Sequence, residues 1–213
     1  MTERPTLIVM AKAPRVGLGK TRLAAELGAV EAWRINRALQ ARTMRAARDP
    51  RWRARLCVTP DEAMSLDLPG VWPRDIERIA QGDGDLGERL ARALAPHQRV
   101  AVIGTDCADI SRAHIASAFA ALRRAPFALG PAHDGGFWLL AARDGAAAGR
   151  AMRGVRWSTK YAAKDVIRNL GARRVALLAT LRDVDVAEDL RRISSGRRRN
   201  ARTSRAESCD PAS

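Results

Sequence analysis

The sequence predicts an α/β fold built on a mostly parallel sheet, and three observations lead to that prediction. Short aliphatic runs such as LIVM at 7–10 alternate with longer stretches whose apolar residues recur every three or four positions. The run VAVIG at 100–104 contains no polar residue, which is typical of a strand covered on both faces. No internal repeat or second boundary interrupts the pattern before the tail, so one domain over 1–194 is expected.

Each element is assigned from its local pattern. Aliphatic and β-branched runs predict strands at 7–10, 55–58, 78–80, 100–104, 127–129, 137–141 and 175–178, of which 78–80 is the weakest. Helical spacing of apolar residues predicts helices from about 21 to 48 and at 86–94, 112–123 and 160–170. Ligands in such sheets bind beyond the carboxyl ends of the strands, so functional residues are expected directly after each apolar run.

The net charge of +15 is spread along predicted helices and concentrated only in the tail. Residues 191–213 hold seven arginines against two acids and no apolar periodicity, so a disordered segment is expected over 195–213. Aromatic and basic residues are not interleaved as in proteins that stack bases, so nucleic acid is not an expected partner. A non-enzymatic nucleotide- or RNA-binding role through the tail remains as an alternative from another class.

The cysteine pattern indicates a reducing compartment. Three cysteines, far apart and without a C-x-x-C pair, predict neither a disulfide framework nor a zinc site. No stretch has the length of a membrane span, and the apolar run 6–11 is too short for a signal-peptide core. A cytoplasmic protein without membrane association is therefore expected.

The loop KAPRVGLGKTRL at 12–23 follows the first strand and leads into a helix. Backbone N–H groups at a helix start favour an anion, and Lys20 and Arg22 add full charges, so phosphate binding is predicted here. The ending Gly-Lys-Thr resembles a Walker A loop, but Pro14 stands where its first glycine belongs and cannot donate a backbone hydrogen bond. A P-loop ATPase is therefore a distant alternative, and a plain turn is the simplest one.

Acidic residues follow the strand at 100–104, in the sequence GTDCADIS. Asp106 lies where the ligand edge of the sheet is expected and suits a hard divalent cation bound to phosphate oxygens. Asp109 could be a second ligand, or it could be part of a turn before Ser111, which is a good N-cap. A hydrophobic run ending in Asp is also a Walker B pattern, so this motif alone does not separate the two alternatives.

Two further acidic segments are expected at the same edge. Asp134 precedes Gly135 and Gly136, which would let a substrate approach the backbone, although Asp-Gly is also a common hairpin turn. Asp183 and Asp185 follow the last strand, and Asp185 could complete a cation site with Asp106 or instead cap a helix. The glycine-rich segment QGDGDLGERL at 81–90 could line a base or sugar pocket, or only cap its helix.

Six motifs in order resemble one family over about residues 6–194. They are KAPxxGxxKTRL at 12–23, QGxGDLGER at 81–89, GTDCxD at 104–109, GPxxDGG at 130–136, WST at 157–159 and DVDxxEDL at 183–190. The family is the small bacterial GT-A-type group labelled glycosyltransferase-like or arsenosugar-biosynthesis glycosyltransferase. The chain departs from it at Phe137, where tyrosine is usual, so no hydroxyl contact with an acceptor is expected there.

The resemblance implies a single-domain nucleotide-diphospho-sugar transferase fold and a Mg²⁺- or Mn²⁺-dependent transferase. The donor would be a nucleotide sugar giving glycosyl transfer to a small acceptor, or alternatively a nucleoside triphosphate giving nucleotidyl transfer, as in guanylyltransferases. By this comparison Asp106 and Asp185 bind the metal. Asp106 and Asp134 are the candidate catalytic residues, with Asp134 orienting or deprotonating an acceptor hydroxyl. The residues expected at the nucleotide and its phosphates are Lys12, Gly17, Lys20, Arg22, Gln81 and Gly82, and those at the second substrate are Gly135 and Gly136.

Overall fold

A computed structural model of the chain describes residues 3–192. The strands are β1 (Thr6–Lys12), β2 (Arg53–Thr59), β3 (Glu77–Ala80), β4 (Gln98–Ile103), β5 (Phe127–Pro131), β6 (Phe137–Asp144) and β7 (Val175–Leu177). The helices are α1 (Thr21–Leu27), α2 (Ala29–Ala47), α3 (Leu86–Leu94), α4 (Arg112–Ala121), α5 (Gly145–Arg150) and α6 (Ala162–Leu170). Two short 3₁₀ turns cover Asp61–Ser65 and Ala172–Arg174, and residues 187–192 are also helical.

The seven strands form one sheet in the order β3-β2-β1-β4-β6-β5-β7. β6 runs antiparallel to both of its neighbours, whereas the pairs β1–β2, β2–β3, β1–β4 and β5–β7 are parallel. The predicted mostly parallel α/β sheet is confirmed. The carboxyl ends of β1 and β4 therefore lie side by side, and β5 brings the end of its own strand to the same edge of the sheet.

Apolar side chains fill the space on both faces of the sheet. Leu7 and Val9 of β1 belong to one core cluster with residues of α2 and α4, whereas Ile8 belongs to a second cluster with residues of α3, α5 and α6. This alternation follows from the two-residue period of a strand. All three side chains are fully buried, so β1 is a central strand whose end is held rigidly.

The predicted strands are all present, and one helix was missed. α5 consists of alanine and glycine apart from Arg150, so it has no apolar periodicity to detect. It begins because Asp144 Oδ1 accepts hydrogen bonds from the backbone N–H groups of Ala146 and Ala147, at 2.9 and 3.2 Å. Within residues 3–192, no helix is both long enough and apolar enough to cross a membrane.

A buried carboxylate fixes the segment before α6. Asp165 is 1% exposed and accepts two hydrogen bonds of 2.8 Å from the Arg156 guanidinium. These hydrogen bonds hold the pKa of Asp165 well below its usual range, despite burial, which acts in the opposite direction. The pair therefore ties the loop that carries Arg156 to α6.

We expect Asp165→Asn to lower the melting temperature at neutral pH. Because the carboxyl pKa is depressed in the folded chain, the ionised carboxylate stabilises the fold above the unfolded pKa of about 3.9. This stabilisation is lost progressively as the pH falls below that value. The difference between the melting temperatures of wild type and variant should therefore be largest at pH 7 and smaller at pH 3, and should vanish only below the depressed pKa of the folded carboxyl. Asp67→Asn, which breaks an exposed pair with Arg74, is the control and should change little at either pH.

Candidate functional site

The candidate site lies where four loops meet at the carboxyl edge of the sheet. These loops are 13–20 after β1, 104–111 after β4, 132–136 between β5 and β6, and 178–186 after β7. Isolated bridges join two of these loops to the last one, since Cys107 pairs with Asp183 and Ala132 pairs with Leu181. The loops that carry the predicted site residues therefore meet at one edge of the sheet.

The first loop turns back on itself and directs Lys20 inward. Gly17 and Gly19 have φ of 78° and 86°, and Lys20 itself has φ of 49° at the start of α1. Added Cβ atoms on the two glycines would meet nothing within 4 Å, so backbone conformation rather than crowding favours glycine there. Trp33 Nε1 of α2 donates to the Pro14 carbonyl at 3.0 Å and anchors the loop.

The ammonium of Lys20 binds three oxygens from two other loops. Its Nζ lies 2.6 Å from Asp106 Oδ1 and 3.1 Å from Asp185 Oδ1, and it donates to the Val184 carbonyl at 2.7 Å. The Lys20 side chain is 7% exposed, while those of Asp106 and Asp185 are 51% and 42% exposed. The sequence placed these residues at one edge, and the structure brings them into direct contact.

The charges around Lys20 keep it protonated. Burial on its own lowers the pKa of the ammonium, but the Coulombic attraction and hydrogen bonds of Asp106, and then those of Asp185, outweigh it and raise the pKa above its ordinary value. An ammonium has three donors, and here three oxygens surround it: those of Val184 and Asp185 accept hydrogen bonds, and Asp106 Oδ1 forms an ion pair at 2.6 Å. In this conformation Lys20 therefore has no hydrogen bond left for the phosphate that the sequence predicts as its partner.

The loops that carry Asp106 and Asp185 are held together by main-chain and side-chain contacts. The backbone N–H of Val184 donates to the Asp106 carbonyl at 3.0 Å. Beside it, the Cys107 thiol donates to Asp183 Oδ1 at 2.7 Å. Burial, followed by the negative charges of Asp106, Asp134 and Asp185, raises the pKa of Asp183 to about 6, against the effect of the thiol hydrogen bond. These contacts fix the separation of the two exposed carboxylates.

The alternative that Asp185 only caps a helix is not what the structure shows. Asp189 Oδ2 accepts from the backbone N–H groups of Asp185 and Val186, at 3.0 and 3.1 Å. Glu26 of α1 accepts from the next one, that of Ala187, at 3.1 Å. The Asp185 carboxylate therefore remains available to the site. Glu26, a residue the sequence did not single out, acts here as a cap from another helix.

Asp134 lies in a tight turn, close enough to Asp183 for its negative charge to contribute to the raised pKa of that carboxyl. Its Oδ1 accepts from the Gly136 N–H at 2.8 Å, and the side chain is exposed. Gly135 has φ of 89°, and its carbonyl accepts from Ala163 at the start of α6. An added Cβ at Gly135 would lie 2.3 Å from the Lys160 carbonyl oxygen, so a close backbone approach requires glycine at this position.

The other predicted nucleotide residues take different positions. Gln81 is 4% exposed, and its amide binds the carbonyls of Ala11 and Cys57 and the guanidinium of Arg89. Its side chain thus supports the ends of β1 and β2 from inside. Gly82, with φ of 70°, donates its N–H to Asp61.

Lys12 and Arg22 are exposed on either side of the first loop.

The segment 81–90 caps α3, which is the simpler of its two predicted roles, through a reciprocal pair of hydrogen bonds between Asp85 and Glu88. Similarly, Ser111 caps α4 through the His114 N–H.

The oxygen atoms around Lys20 Nζ are suited to a hard cation. Two carboxylate oxygens and one carbonyl oxygen surround a single point at 2.6–3.1 Å, and such oxygens are the ligands of Mg²⁺ and Mn²⁺. Between residues 3 and 192 no three His, Cys, Asp or Glu side chains form a metal cluster by themselves. The Val184 carbonyl completes the set, and no sequence pattern points to it because main-chain atoms are common to every residue.

A family profile matches residues 42–159, more than half of the chain. The profile is described as an uncharacterized protein family conserved in bacteria, DUF2064. The chain belongs to this family. A comparison with curated proteins gave no significant match.

Solved structures show which fold this DUF2064 chain has. A "putative nucleotide-diphospho-sugar transferase" from Desulfovibrio desulfuricans G20 is 26% identical with a TM-score of 0.77, over 87% of this chain and 84% of that one. A 4-diphosphocytidyl-2C-methyl-D-erythritol synthase from Anaerococcus prevotii is 10% identical with a TM-score of 0.59, over 88% and 92%. Rv0371c of Mycobacterium tuberculosis, in complex with manganese, is 15% identical with a TM-score of 0.53, over 89% and 97%.

The nucleotide-diphospho-sugar transferase fold implied by the resemblance is thereby confirmed. This fold also explains the Walker-like spacing at 14–21. The loop belongs to the first strand–helix connection of this fold, and Pro14 is compatible with it because no P-loop is formed.

Proposed function

We propose that this DUF2064 chain is a divalent-cation-dependent glycosyltransferase that moves a sugar from a nucleotide sugar to a small acceptor. The observation that carries the proposal is the convergence of Asp106, Asp185 and Lys20 at the carboxyl edge of the sheet. The description of the D. desulfuricans neighbour supports a nucleotide-sugar donor, and the manganese in the Rv0371c structure supports a divalent cation.

Asp106 and Asp185 would hold Mg²⁺ or Mn²⁺ between the sheet edge and the donor. When bound, the cation neutralises charge that develops on the departing nucleoside diphosphate. The two carboxylates come from loops pinned to each other by the Val184–Asp106 and Cys107–Asp183 contacts, so their separation is fixed before the donor arrives. Such preorganisation is the main way in which this site would lower the barrier.

The first loop would bind the phosphates of the donor. Gly17 and the N-terminus of α1 supply backbone N–H groups, and Lys12, Lys20 and Arg22 supply positive charge. Gln81 and Gly82 would shape the nucleoside side of the pocket from the neighbouring strand ends. Because the side chain of Gln81 is committed to internal hydrogen bonds, its contribution would be to position the loop that follows β3.

Asp134 would orient or deprotonate the acceptor hydroxyl. One of its oxygens is held by the Gly136 N–H, which leaves the other free to accept from a substrate. Gly135 and Gly136 would let the acceptor approach the backbone. A cytoplasmic location, expected from the cysteine pattern, stays a prediction.

Product analysis tests the proposed reaction. The chain is incubated with Mn²⁺, a panel of nucleotide sugars and nucleoside triphosphates, and candidate acceptor mixtures. We expect release of a nucleoside diphosphate from one nucleotide sugar, dependent on acceptor. Release of pyrophosphate from a nucleoside triphosphate, without acceptor-dependent nucleoside diphosphate, would contradict glycosyl transfer and indicate nucleotidyl transfer.

We also expect removal of residues 195–213 to leave this reaction unchanged. The basic tail, together with its expected disorder and its alternative role in nucleic-acid binding, lies outside the described residues. All residues of the candidate site lie between 12 and 185, so a chain ending at Ser194 retains them. The rate and donor KM of the truncated and full chains are compared, and a loss of donor affinity on truncation would instead support a role of the tail in binding.

A further inference from the structure

We propose that the Lys20 ammonium occupies the position of the divalent cation and is exchanged for it when the donor binds. The inference rests on the proposed function and gives Lys20 two positions, of which the sequence predicts only the one at the phosphates. In the first position it is a substitute cation between Asp106 and Asp185. In the second it is released toward the phosphates of the donor.

The oxygen contacts of Lys20 support the first position. Three oxygens from two loops, 104–111 and 178–186, converge on Nζ, and the Lys20 side chain is 7% exposed. A divalent cation held by the same three oxygens would need the space that Nζ now fills, because its bonds to oxygen, about 2.0–2.6 Å, are no longer than the distances from Nζ to these atoms. The ammonium and the cation therefore exclude each other.

The charge balance gives the reason for such an exchange. Without a cation, two carboxylates fixed close together would repel each other, and Lys20 removes that repulsion. A divalent cation supplies more positive charge to the two carboxylates, but it must displace an ammonium held by two hydrogen bonds and a further ion pair. Binding of the cation alone is therefore opposed.

The donor removes that opposition. Its diphosphate oxygens give the released ammonium new acceptors, beside the exposed positive charges of Lys12 and Arg22. The cation and the diphosphate should thus bind cooperatively, with Lys20 as the side chain that couples them. Lys20 is accordingly a positioning residue for both, and free cation should bind the wild-type chain weakly.

Mn²⁺ binding to Lys20→Met tests the exchange. Free Mn²⁺ is measured by electron paramagnetic resonance as it is titrated into wild type, Lys20→Met and Lys164→Met, with no nucleotide present. Lys164 lies exposed on α6, and its variant is the matched control. We expect Lys20→Met to bind Mn²⁺ about 5- to 150-fold more tightly than wild type, the usual range for coupled sites, and Lys164→Met to match wild type. Equal or weaker binding by Lys20→Met would overturn the exchange.

A second measurement uses the unaltered chain and does not depend on the folding of the variant. The chain has four lysines, at 12, 20, 160 and 164, so acetylation of each is readily followed by mass spectrometry. Lys20, being 7% exposed, should react slowly, and saturating Mn²⁺ should raise its rate while the rates of the other three stay the same. An unchanged Lys20 rate would show that the cation does not displace it. Either result is independent of product analysis, so failure of the exchange and failure of the proposed function are distinguishable.

Discussion

Asp106→Asn is expected to reduce the transferase rate by about 100- to 1000-fold, the range for loss of one preorganised electrostatic group. The substitution removes the charge that would hold the cation and leaves Lys20 with one carboxylate. The fold should survive, because the side chain is 51% exposed and the hydrogen bond that pins its loop uses the backbone carbonyl. The rate is measured at saturating donor, together with the melting temperature.

Asp75→Asn is the matched control for this prediction. It also removes one carboxylate, but Asp75 pairs with Arg48 just before β3, at the amino ends of the strands. Its rate should equal that of wild type. If Asp106→Asn kept the wild-type rate with an unchanged melting temperature, the assignment of Asp106 as a metal ligand would be wrong.

Gly135→Ala is expected to cause the largest loss of stability among the site variants. The positive φ of 89° costs about 1–2 kcal/mol for any residue with a Cβ. The new methyl group would also lie 2.3 Å from the Lys160 carbonyl oxygen, and such overpacking costs about 1–3 kcal/mol more. Chemical denaturation should show both costs, and the rate should fall because Asp134 moves with the turn.

Gly154→Ala separates these two costs. Gly154 has a positive φ of 65°, but an added Cβ would meet nothing within 4 Å. This variant should therefore lose only the conformational part, about 1–2 kcal/mol, and keep its activity. Equal losses for both variants would mean that the approach of Lys160 to Gly135 is not what requires glycine.

The fold and the position of the site were predictable because both follow from local patterns. Buried strands such as β4 appear as unbroken apolar runs, and the acids directly after them fall at one edge of the sheet. The cap at Ser111 was equally visible, and capping of α3 by the segment 81–90 was one of the alternatives, since a cap depends on residues only three positions away. The six motifs in their order also indicated the family of folds, which no single motif indicates.

The contacts within the site were not predictable, since they join residues far apart in sequence. Lys20 was expected to face a phosphate and instead binds Asp106 and Asp185, which are more than 80 residues away. The helix at 187–192 is capped by Asp189 and Glu26 and not by Asp185. This depends on how α1, which carries Glu26, packs against the loop after β7. Gln81 has the motif position of a ligand residue, but its side chain is buried against the neighbouring strands β1 and β2 and against Arg89 of α3.

The most direct test of the account is the position of a bound cation in crystals of the full chain soaked with Mn²⁺ and pyrophosphate. Anomalous scattering should place Mn²⁺ among Asp106 Oδ1, Asp185 Oδ1 and the Val184 carbonyl, with Lys20 Nζ moved to a pyrophosphate oxygen. A manganese peak remote from both carboxylates, or Lys20 still bound between them beside bound Mn²⁺ and pyrophosphate, would contradict it.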